Sequence, residues 1–190
     1  MLKVLMEIPT SRELDVEDIE SVRIVRRVPE LEDLLAYRNE DAIYSFLRKF
    51  ALSTQEADVI FADMLRFLWM NQRLRASENS ETVPIDGPLR IIDEMWHAFI
   101  LHTRSYAEFC EKYFGRFLHH QPALRGEHES HRQVVASIPV EERLEWLRTA
   151  KRSRYERVLE CLGEPVFRRW YLDYPRRYSS DALARLVRFA

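Results

Sequence analysis

The chain has 190 residues, of which 46% are apolar and 32% charged, and a formal net charge of −2. These proportions exclude a largely disordered chain and fit one globular domain, while the near balance of charge excludes a general attraction to nucleic acid or anionic lipid. Four glycines in the whole sequence, nowhere clustered, exclude the usual phosphate loops and dinucleotide-binding turns.

The segment Leu2 to Ile8 mixes apolar and charged residues, and Glu17 to Arg27 alternates them more clearly. Residues 1–40 are therefore read as an N-terminal extension, an arm or a short strand, and residues 41–190 as the helical domain. The alternation has no evident strand partner within the chain, so the extension is expected to pair with another copy or another protein. Asp41 to Ala51 places Ile43, Phe46, Leu47 and Phe50 on one helical stripe. Ser53-Thr-Gln-Glu56 is a capping box, and the helix it opens is predicted to run to about Leu74 and, being apolar nearly all round, to sit at the centre of the fold.

Ala76 to Gly87 reads as a surface loop. Pro88 suits the first turn of a helix reaching His102. Thr103 or Ser105 caps the next, with Ser105-x-x-Glu108 as a second capping box and Gly115 at its end. Phe117 to Ser137 reads as a long irregular connection rich in histidine. Pro139 opens a helix through Leu162, ended by Gly163; Val166 to Leu172 and Asp181 to Phe189 are two short ones. The whole predicts an all-α fold, a single compact domain of five to seven helices.

Asp93 and His97 are four residues apart and share a helix face. Turning each residue by about 100° puts Leu89, Ile92, Trp96, Phe99 and Ile100 on one apolar stripe, with Asp93 and His97 at its edge and Leu101 beyond them. A carboxylate and an imidazole so flanked are expected to be buried and to need partners. Two readings follow. In one, Asp93 and His97 form a structural clasp between the helix and the following loop. In the other they hold a divalent metal, zinc or iron, completed by His119 or His120, because imidazole and carboxylate suit those ions. His102, roughly 140° from His97 around the helix, faces away. Cys110 is a weaker candidate ligand, since it lies on a core stripe with Tyr106, Phe109, Tyr113 and Phe114.

Asp93-x-x-Trp96-His97, with Leu101, Tyr106, Cys110, Gly115 and His119-His120-x-Pro122, resembles the glycine-rich-domain-containing-protein-like family over about Asp41 to Trp170. The resemblance implies a helical domain and no established reaction. Phe99 stands where the plant members often carry a second histidine, and the glycine-rich region is absent.

Other motifs are weaker. Glu127-His-Glu-Ser-His131 lacks the spacing of a zinc protease and reads as a solvated turn, and Ser105, Ser130 and Ser137 sit in no nucleophile elbow. The basic, aromatic run Arg168 to Tyr178 is read as packed rings with snorkelling arginines rather than as a nucleic-acid surface. The start of the chain is no signal peptide, and no apolar run reaches the roughly 20 residues of a membrane span. The expectation is a cytoplasmic protein with an Asp/His cluster, acting either as a binding or assembly module or as a metal-dependent enzyme.

Overall fold

The computed structural model describes residues 28–77, 82–121 and 125–188. The alternating N-terminal segments, and with them the expected pairing to a partner, lie outside the described residues. Within them the fold is all-α. Its elements are α1 (Leu31–Leu35), α2 (Glu40–Lys49), α3 (Thr54–Ala76), a 3₁₀ turn (Gly87–Leu89), α4 (Arg90–Leu101), α5 (Thr103–Phe114), α6 (Arg125–Ser137), α7 (Val140–Arg168), a π-helical turn (Arg169–Asp173), α8 (Tyr174–Arg177) and α9 (Ser180–Leu186). No helix among the described residues is long and apolar enough to cross a membrane.

Helix α3 is the axle. The Ser53 hydroxyl accepts from the Glu56 N–H, and the Glu56 carboxylate accepts from the Ser53 N–H, so both halves of the capping box form. Ala57, Ile60, Phe61, Met64, Leu65, Phe67, Leu68, Trp69 and Met70 are all buried, which is what an axle surrounded on every side requires. Helices α1, α2, α4 and α7 pack on it. Helix α1 falls inside the segment read as an extension. It buries Leu34, and the Trp69 indole N–H donates to the Pro29 carbonyl at 2.8 Å, tying the chain there to α3.

Helix α4 packs against both α2 and α3. Ile91, Ile92, Met95, Trp96 and Phe99 are buried, whereas Leu101 is 81% exposed, so the apolar flank expected beyond Asp93 and His97 faces solvent. Ser105 does not build a second capping box. Helix α5 starts at Thr103 without a side-chain cap, and the Ser105 hydroxyl donates back to the His102 carbonyl. The histidine-rich connection is shorter than expected, because Arg125–Ser137 is helical. Beyond Gly126 that stretch has neither proline nor glycine to oppose a helix, and its histidine content carried no information about backbone.

Gly163 breaks α7 where the sequence stops it: its φ of 78° and ψ of 171° are non-helical, and Pro165 follows at once. The chain then turns back onto α3 through a buried ionic cluster. Asp63, fully buried, accepts from Arg169 Nε and Nη2 at 2.7 Å each, from the Tyr174 hydroxyl at 2.6 Å and from Arg66 at 2.9 Å. Arg169 is thus a half-buried partner of a buried carboxylate rather than a snorkelling surface arginine. The charge beside it raises the guanidinium further above its usual value, the Asp63 hydrogen bonds being the main cause. The C-terminus closes on α2, with the Ala51 N–H donating to the Leu186 carbonyl and the Arg188 N–H to Lys49, both at 2.8 Å.

Removing one partner of a buried ion pair leaves the other uncompensated. Asp63→Ala is therefore expected to cost about 3–5 kcal/mol in urea denaturation, and a cost near zero would mean that the cluster is solvated. Glu56 gives a second, pH-dependent expectation. The Ser53 N–H, the Ser53 hydroxyl and Arg177 hold its carboxyl below the usual glutamate range. A depressed folded-state value stabilises above the ordinary glutamate pKa, and the contribution is lost as pH falls through the depressed value. Glu56→Gln keeps an acceptor at the capping box but loses the charge at the helix start, so it should cost about 0.3–1 kcal/mol at neutral pH, and the gap to the unsubstituted protein should close in acid.

A candidate metal centre beside an open cleft

Asp93 and His97 stand one turn apart on α4, as the spacing requires. The third residue arrives by a chain reversal. Gly115 ends α5 in the left-handed region, with φ 64°, a conformation that a side chain strains. Residues 116–121 then run back to α4 and bring His120 to the same place.

His120 Nε2 lies 2.9 Å from His97 Nε2 and 3.1 Å from Asp93 Oδ1, and His97 Nδ1 lies 3.9 Å from Asp93 Oδ2. One ligand atom from each residue falls within a 4.8 Å group, the only such three-residue set of His, Cys, Asp or Glu among the described residues. In a tetrahedral zinc site with bonds of roughly 2.0–2.1 Å, ligand atoms sit about 3.3 Å apart. The two short separations are a few tenths of an ångström below that and the remaining pair lies within 4.8 Å, so side-chain shifts that widen the first two and draw in the third would seat an ion.

The cluster is not buried, contrary to the expectation from its apolar flanks. The side chains of His97, Asp93 and His120 are 51%, 25% and 17% exposed. Leu101 does not cover them, and they line a cleft of about 700 Å³ together with Phe67, Asn71, Gln72, Arg75 and the segment Thr82 to Ile85. Ligand sites usually occupy roughly 300–1,000 Å³. The far wall is fixed by Asn71, whose side chain accepts from the Val83 N–H at 2.8 Å and donates to the Val83 carbonyl at 3.1 Å. Gln72, also buried, accepts from Arg116.

The other named candidates go elsewhere. His119 lines the cleft but is exposed, with its ring 4.9 Å from that of Phe117, and it is outside the three-residue cluster. Cys110 is fully buried, beside the Leu118 backbone and Tyr106, and burial pushes its thiol up, so it stays protonated and away from the cluster. His102 is turned to α2, where its Nε2 sits 2.9 Å from the Ser45 hydroxyl. The side chains of Glu127, His128 and His131 lie outside the described residues.

Behind the ligands is a support that the periodicity alone did not reveal. The Trp96 indole stacks on the His120 ring, centroids 4.1 Å apart. Its N–H donates to the Tyr106 hydroxyl at 3.0 Å, which donates in turn to the Leu118 carbonyl at 2.6 Å. Burial raises the Tyr106 pKa well above the usual phenol value, so the hydroxyl remains a donor. A tyrosine on a core stripe was the available signal, because a buried hydroxyl must find partners.

With this geometry in hand, the comparison with known families is informative. A family model described as UCP032817-like matches residues 36–138, more than half of the chain. The chain belongs to the UCP032817-like family. The matched segment contains Asp93, His97 and His120, and also Trp96, Tyr106 and Leu118. It stops before Arg169 and Tyr174, so the ionic closure onto Asp63 lies beyond the part that the family model describes. Neither a curated protein nor a solved structure matches this UCP032817-like chain. The family name brings no reaction with it, so the chemistry rests on the geometry.

Trp96 carries both the stacking and the first bond of that support. Truncating a buried aromatic costs about 3–5 kcal/mol, and Trp96→Ala is expected to fall in that range by thermal or chemical denaturation. Unchanged melting would contradict its buried position.

Proposed function

We propose that this chain is a cytoplasmic metal-dependent protein that holds one divalent ion, zinc or iron(II), on Asp93, His97 and His120, and acts on a ligand taken from the adjoining cleft. The observation that carries the reading is the convergence of two imidazole nitrogens and one carboxylate oxygen on a single point of an open wall. Two histidines and a carboxylate are a common donor set for both ions. Three protein ligands leave coordination positions for water or substrate, where a bound metal activates a water or polarises an oxygen.

The protein's own share of that chemistry is orientation and shape. Helix α4 sets the spacing of Asp93 and His97, and Trp96 fixes the plane of the His120 ring. Asn71 holds the opposite wall of the cleft in place.

A second reading, a binding or assembly module with a structural clasp, is favoured by one observation. The His120 Nε2–H placed between His97 Nε2 and Asp93 Oδ1 satisfies a hydrogen-bond network without an ion. The two readings part on composition. Elemental analysis of protein purified without chelator or affinity metal should give about one zinc or iron per chain, the occupancy of a three-ligand site. His97→Ala should lose that metal, whereas His102→Ala should keep it, because His102 is engaged with Ser45. Protein that contains no metal and takes none up from added zinc or iron(II) would defeat the metal reading. The clasp would then stand if His97→Ala costs roughly 1–3 kcal/mol of stability.

A further inference from the structure

The residue that completes the cluster comes from a non-helical segment, and α5 holds that segment through a buried side chain. The carbonyl of Leu118, two residues before His120, accepts from the Tyr106 hydroxyl at 2.6 Å. Tyr106 stands on α5 with no exposure.

Tyr106 cannot reach a ligand in the cleft, because it stands behind the wall the cleft is made of. Packing does not account for it either. The Tyr106 ring lies among Phe99, Phe109 and Phe117, where phenylalanine fills the same space without a buried hydroxyl to satisfy. Its hydrogen bonds run to Trp96, which stacks on His120, and to Leu118, which leads the chain into His120. Both therefore end on groups that set where His120 Nε2 sits.

We propose that Tyr106 is the positioning residue of the His120 ligand: it clamps the Leu118 carbonyl and, through Trp96, the plane of the imidazole. The inference rests on the metal reading above and adds a claim about how the site is built. A loop ligand left to itself loses affinity through the entropy of ordering it, and support by groups behind a ligand is commonly worth about 10–100-fold in metal affinity.

The test is cobalt(II) titration of the full chain, followed by calorimetry and by the visible absorption of the bound ion, with the melting temperature of each metal-free protein measured in parallel. Tyr106→Phe, which removes one oxygen, should bind cobalt about 10–100-fold more weakly and give an altered absorption band. Trp96→Phe, which keeps a ring against His120 and removes the donor to the Tyr106 hydroxyl, should also bind cobalt more weakly than the unsubstituted protein. A merely structural role would lower the melting temperatures and leave affinity and spectrum in place. Should the unsubstituted protein bind cobalt and Tyr106→Phe bind it equally well with the same spectrum, the positioning role is refuted while the metal site stands. If Tyr106→Phe does not fold, Trp96→Phe that binds cobalt as tightly as the unsubstituted protein and with the same spectrum refutes it instead. An unsubstituted protein that takes up no cobalt overturns the metal reading itself, and this inference with it.

Discussion

A carboxylate with no solvent exposure stands in the middle of the helix at the centre of the fold, and the closure of the fold depends on satisfying it. Asp63 on α3 is surrounded by residues that bury themselves for hydrophobic reasons, and a lone charge there is prohibitive. Two arginines and a tyrosine remove the difficulty, one arginine with a bidentate fork. Arg169 and Tyr174 arrive from more than a hundred residues away, so the C-terminal segment has one register in which Asp63 is paired. An ionic cluster of this kind is weak as a source of net stability and strong as a selector of arrangement. That accounts for the π-helical turn. Pairing Asp63 with residues five apart on one segment fits the wider winding of that turn better than an ideal α-helix.

The cleft uses the same physics with neutral groups. Buried polar side chains are spent on backbone that has no helix to belong to. Asn71 satisfies both groups of Val83, and Tyr106 satisfies the Leu118 carbonyl. Both irregular segments line the cleft. A helical scaffold supplies rigid rods with their own backbone bonds made internally. The walls of a site between rods must borrow partners from side chains.

The helical class, the capping box at Ser53, the central place of α3 and the stop at Gly163 were legible because each is local: a 3.6-residue stripe, a four-residue cap, a glycine. The sharing of one face by Asp93 and His97 was legible for the same reason. What the sequence did not carry was the degree of burial. Apolar neighbours on both sides of Asp93 and His97 suggested a covered pair, but coverage depends on what packs against Leu101, and nothing among the described residues does. Spacing left His119 and His120 equivalent, because adjacent residues of a loop point apart in a way that only the reversal at Gly115 decides. The α6 segment was misjudged through its histidines, which mark chemistry and say nothing of backbone. Arg169 was misjudged because its partner is distant in sequence.

The exposure of the cluster bears on how its two readings are weighed. Hydrogen bonds and ion pairs among groups that solvent reaches contribute about 0–1 kcal/mol, because water competes for each partner. His97, half exposed, gains little from His120 on those terms. Against that small return stand a stacked indole and a buried tyrosine hydroxyl, both directed at the placement of a single imidazole. A clasp tying a loop to a helix would be stronger buried, and the apolar material to bury it is at hand in Leu101 and Phe117, both of which stay exposed. Preorganised donors on an open wall are the arrangement that binding an ion requires, since their cost is met in folding and recovered only when something is bound. The placement of the polar groups, more than their number, favours a site over a strut.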